Sequence, residues 1–293
     1  MRSNTATMTS YGRPWLTTAL LLAPALFFFL FLLVLPMIVV VVFSFGERAE
    51  AGGYAPGFTF ANYLNLAARS KAFVNTLTLA PFATLLTAIF AYPMAYFLAV
   101  KSSPRWRLML LVLVMVPFWT SQLLRYYAWM MILGSKGIPA WLEWIGIPDV
   151  RIINTPWAVL IGGVYGFLPL MVPPIYVSLE KLDKRLLEAS SDLGATPLGT
   201  FLQVTLPMSL PGVATGSMLV FILLMGDYIL PQFLGGGMVF FIGNALVDLF
   251  LQSRNWPFGA AVSVALVAIM FVTIVVYMRF ILGRSGQRQV ALV

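Results

Sequence analysis

Five stretches of 24 residues or more contain no Asp, Glu, Lys or Arg. They lie between Arg13 and Glu47, Lys71 and Lys101, Arg151 and Glu180, Asp192 and Asp227, and Arg254 and Arg279. A helix crosses hydrocarbon with about 20 apolar residues, so each stretch can hold one crossing. Lipid offers no hydrogen bonds, and a lone crossing segment must satisfy its own backbone as a helix. Only 10% of the 293 residues are charged and 60% are hydrophobic, against about 25% charged in a soluble domain. Mean hydropathy is +0.92. A sixth apolar run is interrupted only by Arg125. The chain reads as one all-α integral membrane domain over 1–293, with six transmembrane helices. Spans are expected at 16–45, 72–100, 108–133, 156–178, 208–230 and 258–282, the third interrupted by Arg125 and the fifth by Asp227. The first apolar run is about twice a normal signal core, so a retained anchor is expected.

Lys and Arg set an orientation. The N-terminus (Arg2, Arg13), the 101–107 loop (Lys101, Arg105, Arg107), the 179–207 loop (Lys181, Lys184, Arg185) and the C-terminus (Arg279, Arg284, Arg288) hold eleven. The opposite loops hold six: Arg48, Arg69, Lys71, Lys136, Arg151 and Arg254. Short positive loops stay in the cytoplasm, which places both termini and the 179–207 loop there. In "GIPAWLEWIGIP", Pro139 can start a short outer helix and Gly146 can stop it, with Trp141 and Trp144 at the membrane interface. The net charge of +8 comes without any basic run, so no nucleic-acid partner is expected. The chain has neither Cys nor His, which excludes disulfides, zinc sites, thiol nucleophiles and imidazole bases; no metal and no catalytic residue is expected.

The 179–207 loop is unusual for a membrane protein. "SLEKLDKRLLEASSDLG" begins as a helix leaving the fourth span, with Leu179, Leu182, Leu186, Leu187 and Leu193 as its apolar stripe. Gly194 is a natural left-handed stop. Thr196 and Pro197 then read as cap and first position of a second short helix, which Pro207 is expected to end before the fifth span. The loop thus reads as two short helices joined at a sharp glycine corner.

Glu188, Ala189 and Ser190, three residues, Gly194, nine residues, then Val204, Thr205, Leu206 and Pro207 resemble the E-A-A-x3-G-x9-I-x-L-P motif of importer-type ABC permeases. Ser190 and Val204 depart from it. The resemblance implies a MetI-like permease fold, a transport subunit that is not itself an enzyme, and a bacterial inner-membrane location. It implies an ATPase-coupling role for Glu188, Ala189, Ser190, Gly194, Thr196, Pro197, Leu206 and Pro207. ATP and Mg would sit on partner chains and no cofactor on this one, which has no G-x-x-x-x-G-K-[ST] loop. The implied partners are a second homologous permease subunit, two ATPase subunits and a soluble periplasmic or extracellular substrate-binding protein. "VPFWTSQLLRYYAW", "GDYILPQFLGG" and "RNWPFGAA" further resemble the permeases of spermidine/putrescine importers. Relatives moving ferric iron, opines, aminobutyrate or aminophosphonates share much of this wording. An ATP-independent carrier or channel is the competing class; the coupling motif speaks against it.

Polar residues inside spans are candidates for a translocation path. Gln122, Arg125, Tyr126 and Trp129 share one helical face, and Trp119 flanks it. Asp227 and Tyr228 lie late in the fifth span, where a carboxylate and rings could meet an amine. Alternatively Arg125 snorkels, or pairs with Asp227 or with backbone carbonyls as scaffold. Prolines 81, 93, 117, 169, 173 and 174 fall in or near spans. "GGVYGFLPLMVPP" is the clearest candidate for a bent helix, and Gly212 and Gly216 form a small-xxx-small packing face.

Overall fold

The computed structural model describes the backbone of residues 14–290 and the side chains of 18–279, that of Lys184 excepted. Arg2, Arg13 and the side chains of Lys184, Arg284 and Arg288 lie outside the described residues, as do both extremes of the expected 1–293 domain.

Five helices are long and apolar enough to cross a membrane. They are span 1 (Thr18–Ser44), span 2 (Ala61–Lys101), span 4 (Pro156–Glu180), span 5 (Pro197–Gly226) and span 6 (Trp256–Arg279). Span 3 is a broken pair: Pro104–Trp119 is followed by Gln122–Trp144 at a bend of 86°. Counted as one crossing, the pair makes six.

The break corrects the expected span over 108–133, interrupted by the charge of Arg125: the backbone breaks at Thr120 and Ser121 instead. Pro117 has no N–H to give to the preceding turn, and its ring crowds the carbonyl there. Thr120 then turns extended (φ −78°, ψ 157°), and its hydroxyl donates to the Pro117 carbonyl at 2.7 Å. Arg125 lies one turn into the second piece, Gln122–Leu133.

Span 5 is corrected at both ends. It runs unbroken from Pro197, and Pro207 does not end a helix. A π turn at Phe201–Thr205 precedes that proline. Pro207 therefore occupies the first α-helical turn after it, where its missing N–H breaks no α-helical bond. At the far end the helix stops at Gly226, and Asp227 turns extended (φ −71°, ψ 130°). Span 4, by contrast, stays helical from Pro156 to Glu180 despite Pro169, Pro173 and Pro174.

Spans 2, 4 and 5 enclose the core. Span 2 turns inward a row of small residues, Ala72, Thr76, Ala80, Ala83, Thr87, Ala91 and Ala95. Thr76 and Thr87 return their hydroxyls to carbonyls one turn back, at 2.8 and 2.7 Å. Without a hydrophobic drive between helices in lipid, close backbone approach supplies the contact. Gly212 and Gly216 serve the same end between spans 5 and 4. A Cβ on Gly212 would sit 2.5 Å from the Pro174 carbonyl oxygen, and one on Gly216 2.8 Å from the Met171 sulfur. The Leu35–Ser44 half of span 1 rests on span 6, and from Leu20 to Val42 the span is exposed apart from the half-buried Val34 and Val40.

The end opposite the 179–207 loop is more built than the sequence suggested. Two-residue strands Glu47–Arg48 and Tyr54–Ala55 pair antiparallel after span 1. The Pro139 helix forms as expected, over Ile138–Trp144, and Gly146 ends it with φ 92°. Trp141 and Trp144 are 77% and 86% exposed. Between spans 5 and 6 lie two further helices, Ile229–Leu234 and Ile242–Val247, the second extended by a π turn to Gln252.

Candidate functional site

The first candidate site is the 179–207 elbow. Span 4 does not run into it: the helix ends at Glu180, and Asp183 starts a new one over Lys184–Asp192. The Asp183 carboxylate accepts from the Arg185 N–H at 3.0 Å, which satisfies one orphan donor of the first turn. Gly194 adopts φ 83°, and the Ala195 N–H reaches back to the Ser190 carbonyl at 3.1 Å, closing the helix as a left-handed cap. Nothing lies within 4 Å of the Cβ that Gly194 lacks. Backbone conformation, not space, calls for glycine here. The second arm then starts as expected, with the Thr196 hydroxyl accepting from the Gly199 N–H at 3.1 Å and Pro197 in the first turn.

Glu188, Ala189, Gly194, Thr196 and Pro197 are exposed, and Ser190, Leu206 and Pro207 half-buried. The Ser190 and Thr200 hydroxyls stand 3.0 Å apart across the corner. The expected leucine stripe divides. Leu179 is buried, and Leu182 and Leu187 half-buried, but Leu186 and Leu193 are 43% and 88% exposed. Leu198 (67%) and Leu202 (51%) are exposed with them. The stripe is therefore not simply the elbow's inner face; two of its members stand on the surface, as in a docking site. Behind the elbow, Arg107 at the start of span 3 approaches Glu180 at 3.7 Å. Tyr176 donates to the same carboxylate at 2.7 Å. The sequence reading used Arg107 only for orientation.

The second candidate site is where two helix breaks meet. Asp227 caps the Ile229–Leu234 helix, its Oδ1 accepting from the N–H groups of Ile229 (2.8 Å) and Leu230 (3.2 Å). Its Oδ2 faces the start of Gln122–Leu133, 3.4 Å from the Gln122 amide and 3.5 Å from the Tyr126 hydroxyl. Gln122 also donates to Tyr126 at 3.0 Å. Tyr126 is fully buried and packs where Gly166 of span 4 leaves room. Irregular backbone at membrane depth persists only where protein or a watery cavity satisfies it, and broken helices mark substrate sites in many transporters.

The ion pairs among the described residues are Arg69–Asp248 and Arg107–Glu180. Arg125 and Asp227 form none. Arg125 instead points Nη1 at the Gly166 carbonyl, 3.5 Å away, while its Nε is buried without a partner among the described residues. Trp129 packs edge-on against Tyr165 at 5.3 Å. Trp119 is 74% and Tyr228 45% exposed. Gln122, Tyr126 and Asp227 thus come together, with Arg125 beside them and Trp119 and Trp129 contributing to other surfaces.

Sequence reasoning missed the residues that pin the segment between spans 5 and 6. Asn244, 4% exposed, donates to the Tyr228 carbonyl at 2.9 Å and the Gln232 side chain at 3.1 Å. Its own oxygen accepts from the Phe241 N–H at 3.1 Å. Thr76 accepts from the Ile242 N–H at 2.9 Å, and Asn75 donates to the Phe240 carbonyl at 3.2 Å. Arg69 binds Asp248 at 2.6 Å. An Asn inside an apolar run was the available signal, because an unbonded amide is costly there.

The family described as the binding-protein-dependent transport system inner membrane component matches residues 91–288. Over 241 residues the chain is 43% identical to the spermidine/putrescine transport system permease protein PotB of Haemophilus influenzae, covering 80% of this chain and 84% of that one. It is 42% identical to PotB of Escherichia coli, over 80% and 87%. It is 33% identical to the inner membrane ABC transporter permease protein YdcU of Escherichia coli, over 77% and 76%. In fold it is similar to a bacterial ABC transporter involved in the import of the acidic polysaccharide alginate, with a TM-score of 0.72 at 20% identity over 94% and 96% of the two chains. A second structure of a bacterial alginate ABC transporter, in complex with an alginate-pentasaccharide-bound periplasmic protein, matches with a TM-score of 0.71 at 21% identity, over 91% and 94%.

Proposed function

The chain belongs to the inner membrane components of binding-protein-dependent transport systems, and on that premise we propose that it forms half of the pore of an ATP-driven importer of polyamines or related small amines. The observation that carries the transport reading is the elbow: an ordered glycine corner with exposed leucines, joined without interruption to span 5. In this reading a separate ATPase subunit grips Glu188, Ala189, Ser190, Gly194, Thr196 and Pro197, with Leu206 and Pro207 at the root of the lever. ATP and Mg act on that subunit. The elbow end faces the cytoplasm with both termini, and the opposite end receives cargo from a soluble binding protein. A second homologous permease completes the pore, and lipid covers span 1.

The amine reading rests on the names of the PotB relatives and on the chemistry of the second site. Asp227, with Gln122, Tyr126 and Tyr228 around it and Arg125 beside them, supplies negative charge and aromatic surface at the outer mouth, and Trp119 and Trp129, on other surfaces, are proposed to line the path beyond it. Weak, multi-point attraction suits conduction, since tight binding would trap cargo.

The test is reconstitution. The chain is placed in proteoliposomes with a homologous permease, an ATPase and a binding protein of the same importer family from its source organism, and uptake of labelled spermidine and putrescine is measured. ATP- and binding-protein-dependent uptake is expected. Uptake by this chain alone, driven by an ion gradient without ATP, would overturn the importer reading; ATP-driven uptake of a different solute only would overturn the cargo.

A further inference from the structure

We propose that the Ser190–Thr200 hydroxyl pair is a clamp that sets the angle of the elbow and so decides how much of a pull on the Lys184–Asp192 helix reaches span 5. The inference deepens the coupling reading and rests on it. Ser190 is also where the chain departs from the family motif, which carries Ala at this position.

Three features point to a clamp. The corner itself is held by backbone bonds, from the Gly194 N–H to the Ser191 carbonyl at 2.9 Å and from the Ala195 N–H to the Ser190 carbonyl at 3.1 Å; glycine can leave this φ readily, and nothing lies within 4 Å of its missing Cβ to block that. Each arm is stabilised by local bonds: Asp183 to Arg185 and Ser191 to Leu187 in the first, Thr196 to Gly199 in the second. Among the described residues, Ser190–Thr200 is the only side-chain hydrogen bond joining one arm to the other.

The third feature is where the clamp is anchored. Thr200 is only 9% exposed and belongs to the helix that continues as Pro197–Gly226. That helix ends at Asp227, the hub of the second site. A rigid elbow therefore passes displacement of the first arm along span 5 to the helix breaks. An elbow without the clamp absorbs the same displacement by rotation at Gly194. An alanine at 190 cannot reach Thr200, so in this chain the hydroxyl does by hydrogen bonding what the motif's alanine leaves to packing.

The experiment uses the complete assembly in proteoliposomes and reads cargo imported per ATP hydrolysed, together with the thermal midpoint of the purified complex. S190A and T200V should each lower the transport-to-hydrolysis ratio roughly two- to tenfold, the range one hydrogen bond controls. The double variant should be no worse than either single one, because both remove the same contact. T200S, which keeps both hydroxyls at a position the ATPase does not grip, should hold the ratio near wild type. Thermal midpoints should stay together across the set, since a scaffold role would move them and a clamp moves the ratio. Unchanged ratios in S190A and T200V, or additive losses in the double variant, would overturn the clamp. Should S190A fail to assemble, T200V against T200S decides the question by the same ratio. A wild-type assembly whose ATP hydrolysis drives no uptake would overturn the coupling reading, and the clamp with it.

Discussion

The Asp227 carboxylate lies 3.4 Å from the Gln122 amide, joining two helix breaks that are 105 residues apart in sequence. One carboxylate oxygen caps the helix after span 5 and the other faces the helix that restarts span 3. Asp227 is thus a joint between broken spans before it is anything for cargo, and its replacement tests both roles.

Asp227→Ala removes the cap and strands the donors of Gln122 and Tyr126, at a cost of about 1–3 kcal/mol. Asp227→Asn keeps an acceptor for Ile229 and Leu230 and should cost less. Thermal unfolding in detergent checks the order; an Asp227→Ala midpoint equal to wild type would remove the capping role. Normal stability with slowed uptake in Asp227→Asn would be the signature of a path carboxylate.

Gly194→Val places a β-branched residue at φ 83°, adding about 1–3 kcal/mol of backbone strain. The variant should insert in the membrane yet recruit ATPase poorly. Gly194→Asn, which tolerates the left-handed region, should retain most coupling. Normal substrate-stimulated ATP hydrolysis by Gly194→Val would argue that the corner does not transmit.

Glu188 is exposed on the first arm, where a charge is available to a partner. Glu188→Lys should cut uptake roughly tenfold or more, by opposing charge, while Glu188→Gln should lose little. ATP hydrolysis and uptake measured side by side check this. Unimpaired uptake in both variants would return Glu188 to an ordinary solvated face.

Gly212→Val drives a side chain against the Pro174 backbone, which cannot rotate away, so spans 4 and 5 must part. A loss of about 1–3 kcal/mol or more is expected. Gly226→Ala is the control, since nothing lies within 4 Å of its missing Cβ. Equal yield and thermal midpoint for the two variants would mean that close approach at Gly212 is not needed.

Local rules served the sequence reading well at the elbow. A glycine stop, a threonine cap and a following proline are decided within a few residues, and the structure places all three as the sequence predicts. They failed at Pro207, where a π turn shifts the register before the proline arrives. They failed also at Leu193, because an apolar periodicity says which side is apolar but not whether this chain covers it.

The sequence by itself determined where the chain crosses the membrane. Charge in hydrocarbon is too costly for any packing to hide cheaply, so the uncharged runs between Arg13 and Glu47 or Arg254 and Arg279 admit one reading. Which polar groups meet inside was left to tertiary structure. Asp227 takes Gln122 and Tyr126 and leaves Arg125 to the Gly166 carbonyl. Asn244 holds the segment between spans 5 and 6 through Tyr228 and Gln232. Such partners lie on different helices, and their distances depend on crossing angles and on small residues such as Gly166 and Gly212. No local propensity carries that information, because it comes into being only when the spans pack.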